Sequence, residues 1–363
     1  MLKSAALLAV VLVTGGCGSN EKVAEQKPVG GGPVERHLVY EKLGGSGVWI
    51  ADVDGRNARL LVRSGRAPAI SPDGRWVVYA SCDPEDELAC QGTFVISTSG
   101  GEPRKLSSDV DIRRPALGTW SPDSKRIVVS RGGPSGEEHA LISIDLASGK
   151  ELKLADSASS WSFSPDGKQI VYARAGPVAS TSGIESTDLF VVDSTGGDPK
   201  QITHTADSAD AVWGPKSIAF ARLLPNGQWG RSEIWQVQPD GSGLKTITGP
   251  LPKQYRTENG GDTKEGLIPI AWSEDGRALL GGFLWSSVIP VAVDPDSGEI
   301  RDLDEIEFPY AVAISRDGRA ALAYTYRPIG GYDDDSATVQ IVPYAGGKAK
   351  IVARGAGSPS WNR

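Results

Sequence analysis

Ser71-Pro72-Asp73-Gly74, followed by Arg75-Trp76-Val77-Val78-Tyr79-Ala80, is the stretch from which the fold is read. Proline presets φ at the second position of a tight turn, aspartate bonds back to a nearby N–H, and glycine takes the positive-φ position. The apolar run behind it is short and rich in β-branched and aromatic residues, so a strand is expected there rather than a helix. The stretch returns as Ser121-Pro122-Asp123-Ser124 before Arg126-Ile127-Val128-Val129, and as Ser164-Pro165-Asp166-Gly167 before Gln169-Ile170-Val171-Tyr172. Degraded copies stand at Trp213-Gly214-Pro215-Lys216, Trp272-Ser273-Glu274-Asp275-Gly276 and Ser315-Arg316-Asp317-Gly318.

The turns begin at residues 71, 121, 164, 214, 273 and 315. A period in the forties to fifties with several strands per unit predicts a β-propeller. Each unit reads as a short strand often ending in Trp, the Pro-Asp-Gly turn, a second strand, a variable loop, a third strand, a glycine turn and a fourth strand. A further unit is split between the chain ends. His37-Leu38-Val39-Tyr40-Glu41, Val48-Trp49-Ile50-Ala51-Asp52 and Ala58-Arg59-Leu60-Leu61-Val62 match second, third and fourth strands, and the missing first strand is Gly357-Ser358-Pro359-Ser360-Trp361. The expectation is an all-β chain: a seven-bladed β-propeller of four-stranded antiparallel blades, closed by the C-terminal strand pairing with the N-terminal blade, with six blades as the alternative. Such pairing removes exposed sheet edges.

These residues resemble the TolB-like propeller repeat family, whose signature is Trp-Ser-Pro-Asp-Gly before an apolar strand. The resemblance covers 37–363. TolB propellers are usually counted as six-bladed, so seven departs from them. The resemblance implies a fold more than an activity, because such propellers occur as periplasmic scaffolds, beside peptidases and as lyases.

The N-terminus reads as an export signal over 1–16. Lys3 precedes an apolar run at 5–13, too short to span a bilayer. Thr14-Gly15-Gly16-Cys17 resembles the lipobox of bacterial lipoproteins. It implies that Cys17 is lipidated and anchors the protein to a membrane facing outside the cytoplasm; the alternative is an ordinary signal peptide with a chance cysteine. Residues 17–36 then form a flexible tether reaching roughly 25 Å, and the folded body is expected over 37–363.

Removing Cys17 from the three cysteines leaves Cys82 and Cys90 at the feet of one acidic loop. If their strands are antiparallel neighbours they can bridge, as export favours; the alternative is two free thiols, or a metal pair lacking partners. The formal charge is −7, and −8 once Lys3 is removed, with no basic block, which disfavours a nucleic-acid partner.

All long insertions, at 82–91, 175–187, 223–232, 249–267 and 327–337, fall on the face opposite the Ser-Pro-Asp-Gly turns. Long loops gathered on one rim of a rigid body are where binding residues sit. Candidates for ligand binding there are Arg66, Arg114, Asp210, Tyr255, Glu307 and Tyr310, against the alternative of ordinary solvated loop residues. Of the three histidines, His139 and His204 map to this face and are weak metal candidates. No Gly-x-Ser-x-Gly elbow and no phosphate-cradling glycine motif occur. No cofactor and no catalytic residue is assigned. The expectation is a lipid-anchored scaffold for an envelope protein, peptide or glycan. A metal-assisted carbohydrate-active lyase or hydrolase is the alternative.

Overall fold

The computed structural model describes residues 36–43, 47–82, 90–107, 120–132, 139–179, 185–224, 232–250, 265–284, 288–303, 309–325 and 336–362. Strands are the only extended elements among them, arranged as antiparallel meanders. One sheet orders β1 (His37–Lys42), β2 (Val48–Asp52) and β3 (Arg59–Val62) behind the last strand, β27 (Ala356–Trp361). The next holds β4 (Arg66–Ile70), β5 (Trp76–Cys82), β6 (Cys90–Ser97) and β7 (Arg104–Ser107). A third holds β8 (Arg126–Gly132), β9 (His139–Asp145) and β10 (Glu151–Ala155), with Trp120 bridged to Ile127 where a first strand is expected.

Then follow β11 (Ala158–Phe163), β12 (Gln169–Ala179), β13 (Glu185–Asp193) and β14 (Lys200–Gln201) in one sheet. The following sheet holds β15 (Ser208–Trp213), β16 (Ile218–Leu223), β17 (Ser232–Val237) and β18 (Lys245–Thr246). Two final meanders are β19 (Glu265–Trp272), β20 (Leu279–Leu284), β21 (Val288–Val293) and β22 (Ile300–Asp302), and β23 (Pro309–Ile314), β24 (Ala320–Thr325), β25 (Thr338–Pro343) and β26 (Lys350–Arg354). A single parallel bridge, Val288 to Tyr310, joins these two into one sheet. None of the described sheets closes on itself.

The repeated turn works through its serine as much as its aspartate. Gly74 N–H donates to Ser71 O at 2.9 Å, and Gly74 has φ 73°. The Ser71 hydroxyl donates to Asp73 Oδ1 at 2.6 Å and accepts Trp76 N–H at 3.0 Å, while Asp73 Oδ1 accepts Arg75 N–H at 3.1 Å. The same set recurs around Ser121, Ser164, Ser273 and Ser315. Ser124 stands where glycine stands elsewhere and takes φ 59°. Its hydroxyl accepts Asp73 N–H at 3.1 Å, tying one turn to the next. The copy at Gly214 has no serine and is shorter: Gly214 N–H donates to Ser217 O at 2.9 Å.

Packing explains why the strand sequences are apolar at successive positions. Tyr172 and Phe190 face Val128 and Leu141 of the preceding sheet. Their neighbours Val171, Ala173, Leu189 and Val191 face Ile218 and Phe220 of the following one. A strand buried on both faces reads as a continuous apolar run, and each fully buried side chain of this size contributes about 1.5–3 kcal/mol.

The hairpin at 175–187 departs from the expectation of a long loop. β12 continues to Ala179 and β13 begins at Glu185, with Ala175 opposite Thr187 and Ala179 opposite Glu185. The ladder is interrupted between Ala175 and Ala179, where Gly176-Pro177 stand and proline has no N–H to give. No helix among the described residues is long and apolar enough to cross a membrane.

Candidate functional site

Each described first strand starts, and each described second strand leaves its pairing with it, at the edge from which the long insertions depart. At that edge the first strands are bulged. Pairing slips between Arg66 and Ala69 in β4, between Ala158 and Ser160 in β11, between Ala209 and Val212 in β15, and between Ala311 and Ala313 in β23. Ala67, Asp210 and Ser358 occupy one equivalent place in β4, β15 and β27, and their φ values are 46°, 49° and 45°. Left-handed backbone at non-glycine residues is costly and clusters where geometry is set for a purpose, and bulges re-aim side chains.

One carboxylate braces two of these bulges. Glu41, at the end of β1, accepts Ala67 N–H on Oε2 at 2.8 Å and the Ser358 hydroxyl on Oε1 at 3.0 Å. β27, with its Ser360 hydroxyl 3.3 Å from Ile70 N–H, thus sits locked between β1 and β4.

Of the residues singled out from the sequence, Arg66 and Tyr310 are half-buried at the starts of β4 and β23, the first strands that pack on either side of β27. Tyr310 stacks on Tyr324, ring centroids 5.2 Å apart. Asp210 is half-buried in the β15 bulge, on a different sheet from these two. Cys17, Arg114, Tyr255 and Glu307 lie outside the described residues. Cys82 and Cys90 stand directly opposite each other across β5 and β6. His139 begins β9 opposite Gly132, and His204 is exposed. Among the described residues no group of three His, Cys, Asp or Glu side chains gathers as a metal site.

The sequence reading missed a row of cations at equivalent places on the second strands: Lys42, Arg131, Arg174 and Arg222. Arg131 and Arg174 each follow the serine of their turn by ten positions, so superposing the repeats on that serine would have revealed them. Arg131 bonds Glu151 at 2.8 Å and Ser107 Oγ at 2.7 Å. Arg222 bonds Asp207 Oδ2 at 2.9 Å and lies 4.3 Å over the Trp235 ring. Arg174 lies 3.8 Å over Phe190, and Lys42 5.9 Å over Trp49. Stacking on an aromatic face holds a cation in place while leaving its donors free to pair.

The opposite edge is occupied by turns. The Ser164 hydroxyl and Lys168 N–H hold the Asp166 carboxyl below its ordinary range. Asp317 is lowered likewise by the Ser315 hydroxyl and Arg319 N–H, and Asp275 by Arg277 N–H and the Ser273 hydroxyl. Arg316 bonds Glu274 of the neighbouring turn, so adjacent turns are paired side by side. Asp294 accepts Asp296 N–H at 2.9 Å and Ser297 N–H at 2.8 Å, closing the turn between β21 and β22.

No protein-family model matches the chain, and no curated protein matches it by sequence. Solved structures do. TolB from Acinetobacter baumannii superposes with a TM-score of 0.51 at 16% identity, over 90% of this chain and 82% of that one. The β-propeller domain of the Trilobed protease from Pyrococcus furiosus, described as having an open velcro topology, gives 0.57 at 12% identity over 84% and 89%. An oligogalacturonate lyase from Vibrio parahaemolyticus gives 0.56 at 12% identity over 88% and 84%. At these identities the likeness is one of architecture, and the chain has a TolB-like β-propeller fold.

Proposed function

We propose that the chain is a seven-bladed propeller whose ring is completed by β27, and that it acts as a non-catalytic binding scaffold for an envelope protein, peptide or glycan. The observation that carries this reading is the division of labour between the two edges. Ser-Asp turns bonded to their neighbours fill one edge. The other holds strained bulges braced by Glu41, stacked tyrosines and half-buried cations, at the edge from which the insertions depart. On this reading Cys17 is lipidated after removal of 1–16, residues 17–36 tether the propeller to a membrane outside the cytoplasm, and Cys82 bridges Cys90.

Affinity capture from the native envelope tests the scaffold. Wild type is expected to recover a partner that a variant with 249–267 shortened does not; equal recovery by both rejects the long-loop edge as the binding surface. The likeness to oligogalacturonate lyase supports a second reading, carbohydrate-active chemistry on the same edge with His139 and His204. Metal analysis and an unsaturated-product assay separate the two, since the scaffold reading expects no turnover of uronate polymers with any divalent ion.

A further inference from the structure

Three equivalent arginines stand on β8, β12 and β16, Arg174 and Arg222 opposite the starts of their first strands, and two of the three already hold a carboxylate from this chain. Arg131 holds Glu151, and Arg222 holds Asp207. Arg174 makes its contact with the Phe190 ring and forms no ion pair with a described carboxylate. The reason is local. Ala158 lies opposite Arg174 as Ser208 lies opposite Arg222, so the residue matching Asp207 is Ser157. The nearby acids are committed elsewhere. Asp156 pairs with Lys153 at 2.8 Å. Asp188, opposite Arg174 on β13, accepts Thr203 Oγ1 at 2.9 Å, Thr205 N–H at 3.0 Å and Ala206 N–H at 3.1 Å.

Further donors without acceptors lie on the same face. Tyr172, two residues before Arg174 on β12, is fully buried and its hydroxyl has no partner. Trp161, opposite Tyr172 on β11, is 8% exposed, and its Nε1–H is unpartnered too. Burial keeps the Tyr172 hydroxyl protonated, raising it against the opposing pull of the Arg174 charge. Buried donors are ordinarily satisfied, and those that are not call for a ligand, water or ion. A guanidinium pre-positioned on an aromatic ring, with two buried unpartnered donors on the same face of the sheet, suits an oxyanion.

We propose that Arg174, backed by Tyr172 and Trp161, is a carboxylate-recognition subsite for an aspartate or glutamate side chain of a partner protein. The protein's own copies identify the occupant, because the carboxylates at the two equivalent arginines are peptide side chains. The inference rests on the scaffold reading and names the chemistry of what is bound.

The test uses fluorescence anisotropy with the intact protein and two panels of short labelled peptides, one with paired glutamates and one with glutamines in their place. Wild type is expected to favour the glutamate peptides by about tenfold or more, the range of a charge-assisted hydrogen-bonded pair. Arg174→Gln removes that preference, and Arg174→Lys keeps part of it. Ser157→Asp supplies the carboxylate that Asp207 supplies to Arg222, so it closes the subsite and abolishes the preference without lowering the melting temperature.

The proposal is overturned if wild type does not distinguish the panels, or if the preference survives either Arg174→Gln or Ser157→Asp. Galacturonate oligomers that bind more tightly than the glutamate peptides, and lose binding with Arg174→Gln, would reassign the subsite to a uronate. Capture from the envelope separates the two readings. A partner recovered equally by wild type and Arg174→Gln sinks this subsite while leaving the scaffold intact, whereas no difference on shortening 249–267 sinks the scaffold.

Discussion

His37 and Asn362 rebuild, across the two ends of the chain, the hydrogen-bond pair that Ser71 and Trp76 make inside one turn. His37 N–H donates to Asn362 Oδ1 at 2.5 Å and Asn362 N–H donates to His37 O at 3.2 Å. The matching bonds in the intact turn are Trp76 N–H to Ser71 Oγ at 3.0 Å and Ser71 N–H to Trp76 O at 2.8 Å. A side-chain oxygen at the end of the first strand thus serves the same bond with or without a covalent turn between the strands, and only the shorter turn at Gly214 dispenses with it among the described turns. Asn362→Ala leaves the half-buried His37 N–H without this acceptor and is expected to cost about 1–3 kcal/mol. Asn362→Ser recovers part of it. Urea unfolding monitored by tryptophan fluorescence reads both.

Glu41 has a larger role, since it braces bulges in two first strands at once. Glu41→Gln keeps one acceptor oxygen and is expected to be mild. Glu41→Ala strips both Ala67 N–H and the Ser358 hydroxyl of a partner, and is expected to lower stability by a few kcal/mol and weaken partner capture. Equal stability of the two variants would show that the carboxylate is not the brace.

Acid should unfold the protein through its turns. Asp166, Asp275 and Asp317 are lowered below the ordinary 3.8 in the fold. The unfolded chain therefore binds more protons than the fold over that interval. Their stabilisation is complete above about pH 4 and is lost as pH falls through the lowered values. Ser164→Ala removes the first cause at Asp166, so its acid midpoint is expected to move to higher pH. A pH titration of near-ultraviolet circular dichroism checks the direction.

Glycines of nearly equal φ should differ in tolerance. At Gly55, φ 86°, an added Cβ would lie 2.2 Å from Val352 O, whereas at Gly100, φ 95°, nothing lies within 4 Å. Gly100→Ala bears only the left-handed backbone cost, roughly 1–2 kcal/mol. Gly55→Ala also forces the backbone of β26 aside. It should melt well below Gly100→Ala.

The opposed cysteines give a further check. Cα atoms directly opposite in an antiparallel pair are about 4.5–5.5 Å apart, within disulfide reach. On the proposed export, neither Cys82 nor Cys90 is expected to take up an alkylating reagent without prior reduction, as read by mass spectrometry. Cys17→Ala is expected to move the protein from the membrane fraction to the soluble fraction.

Much of the fold was legible because the turn is local. Proline, aspartate and glycine do their work within four residues, so Ser71-Pro72-Asp73-Gly74 and its copies marked strand boundaries, and Trp361 marked the strand that returns to His37. The serine hydroxyl was overlooked because its second partner lies five residues on, inside the next strand. The site was less legible because its relations are between strands. Glu41 reads as a charged strand end until β4 and β27 are placed beside it, and Arg174 differs from Arg222 only through Ser157 standing where Asp207 stands. Arg66 and Tyr310 were reachable by rule, since each stands within the first two residues of a first strand.

Deuterium exchange of the protein alone and with the partner captured from the envelope tests the central claim most directly. The division of labour between the two edges predicts added protection around Glu41, Ala67, Arg174 and Tyr310, with exchange at Ser71–Gly74 and the equivalent turns unchanged. Protection gathered on the Ser-Asp turns, with the Glu41 edge unaltered, would contradict it.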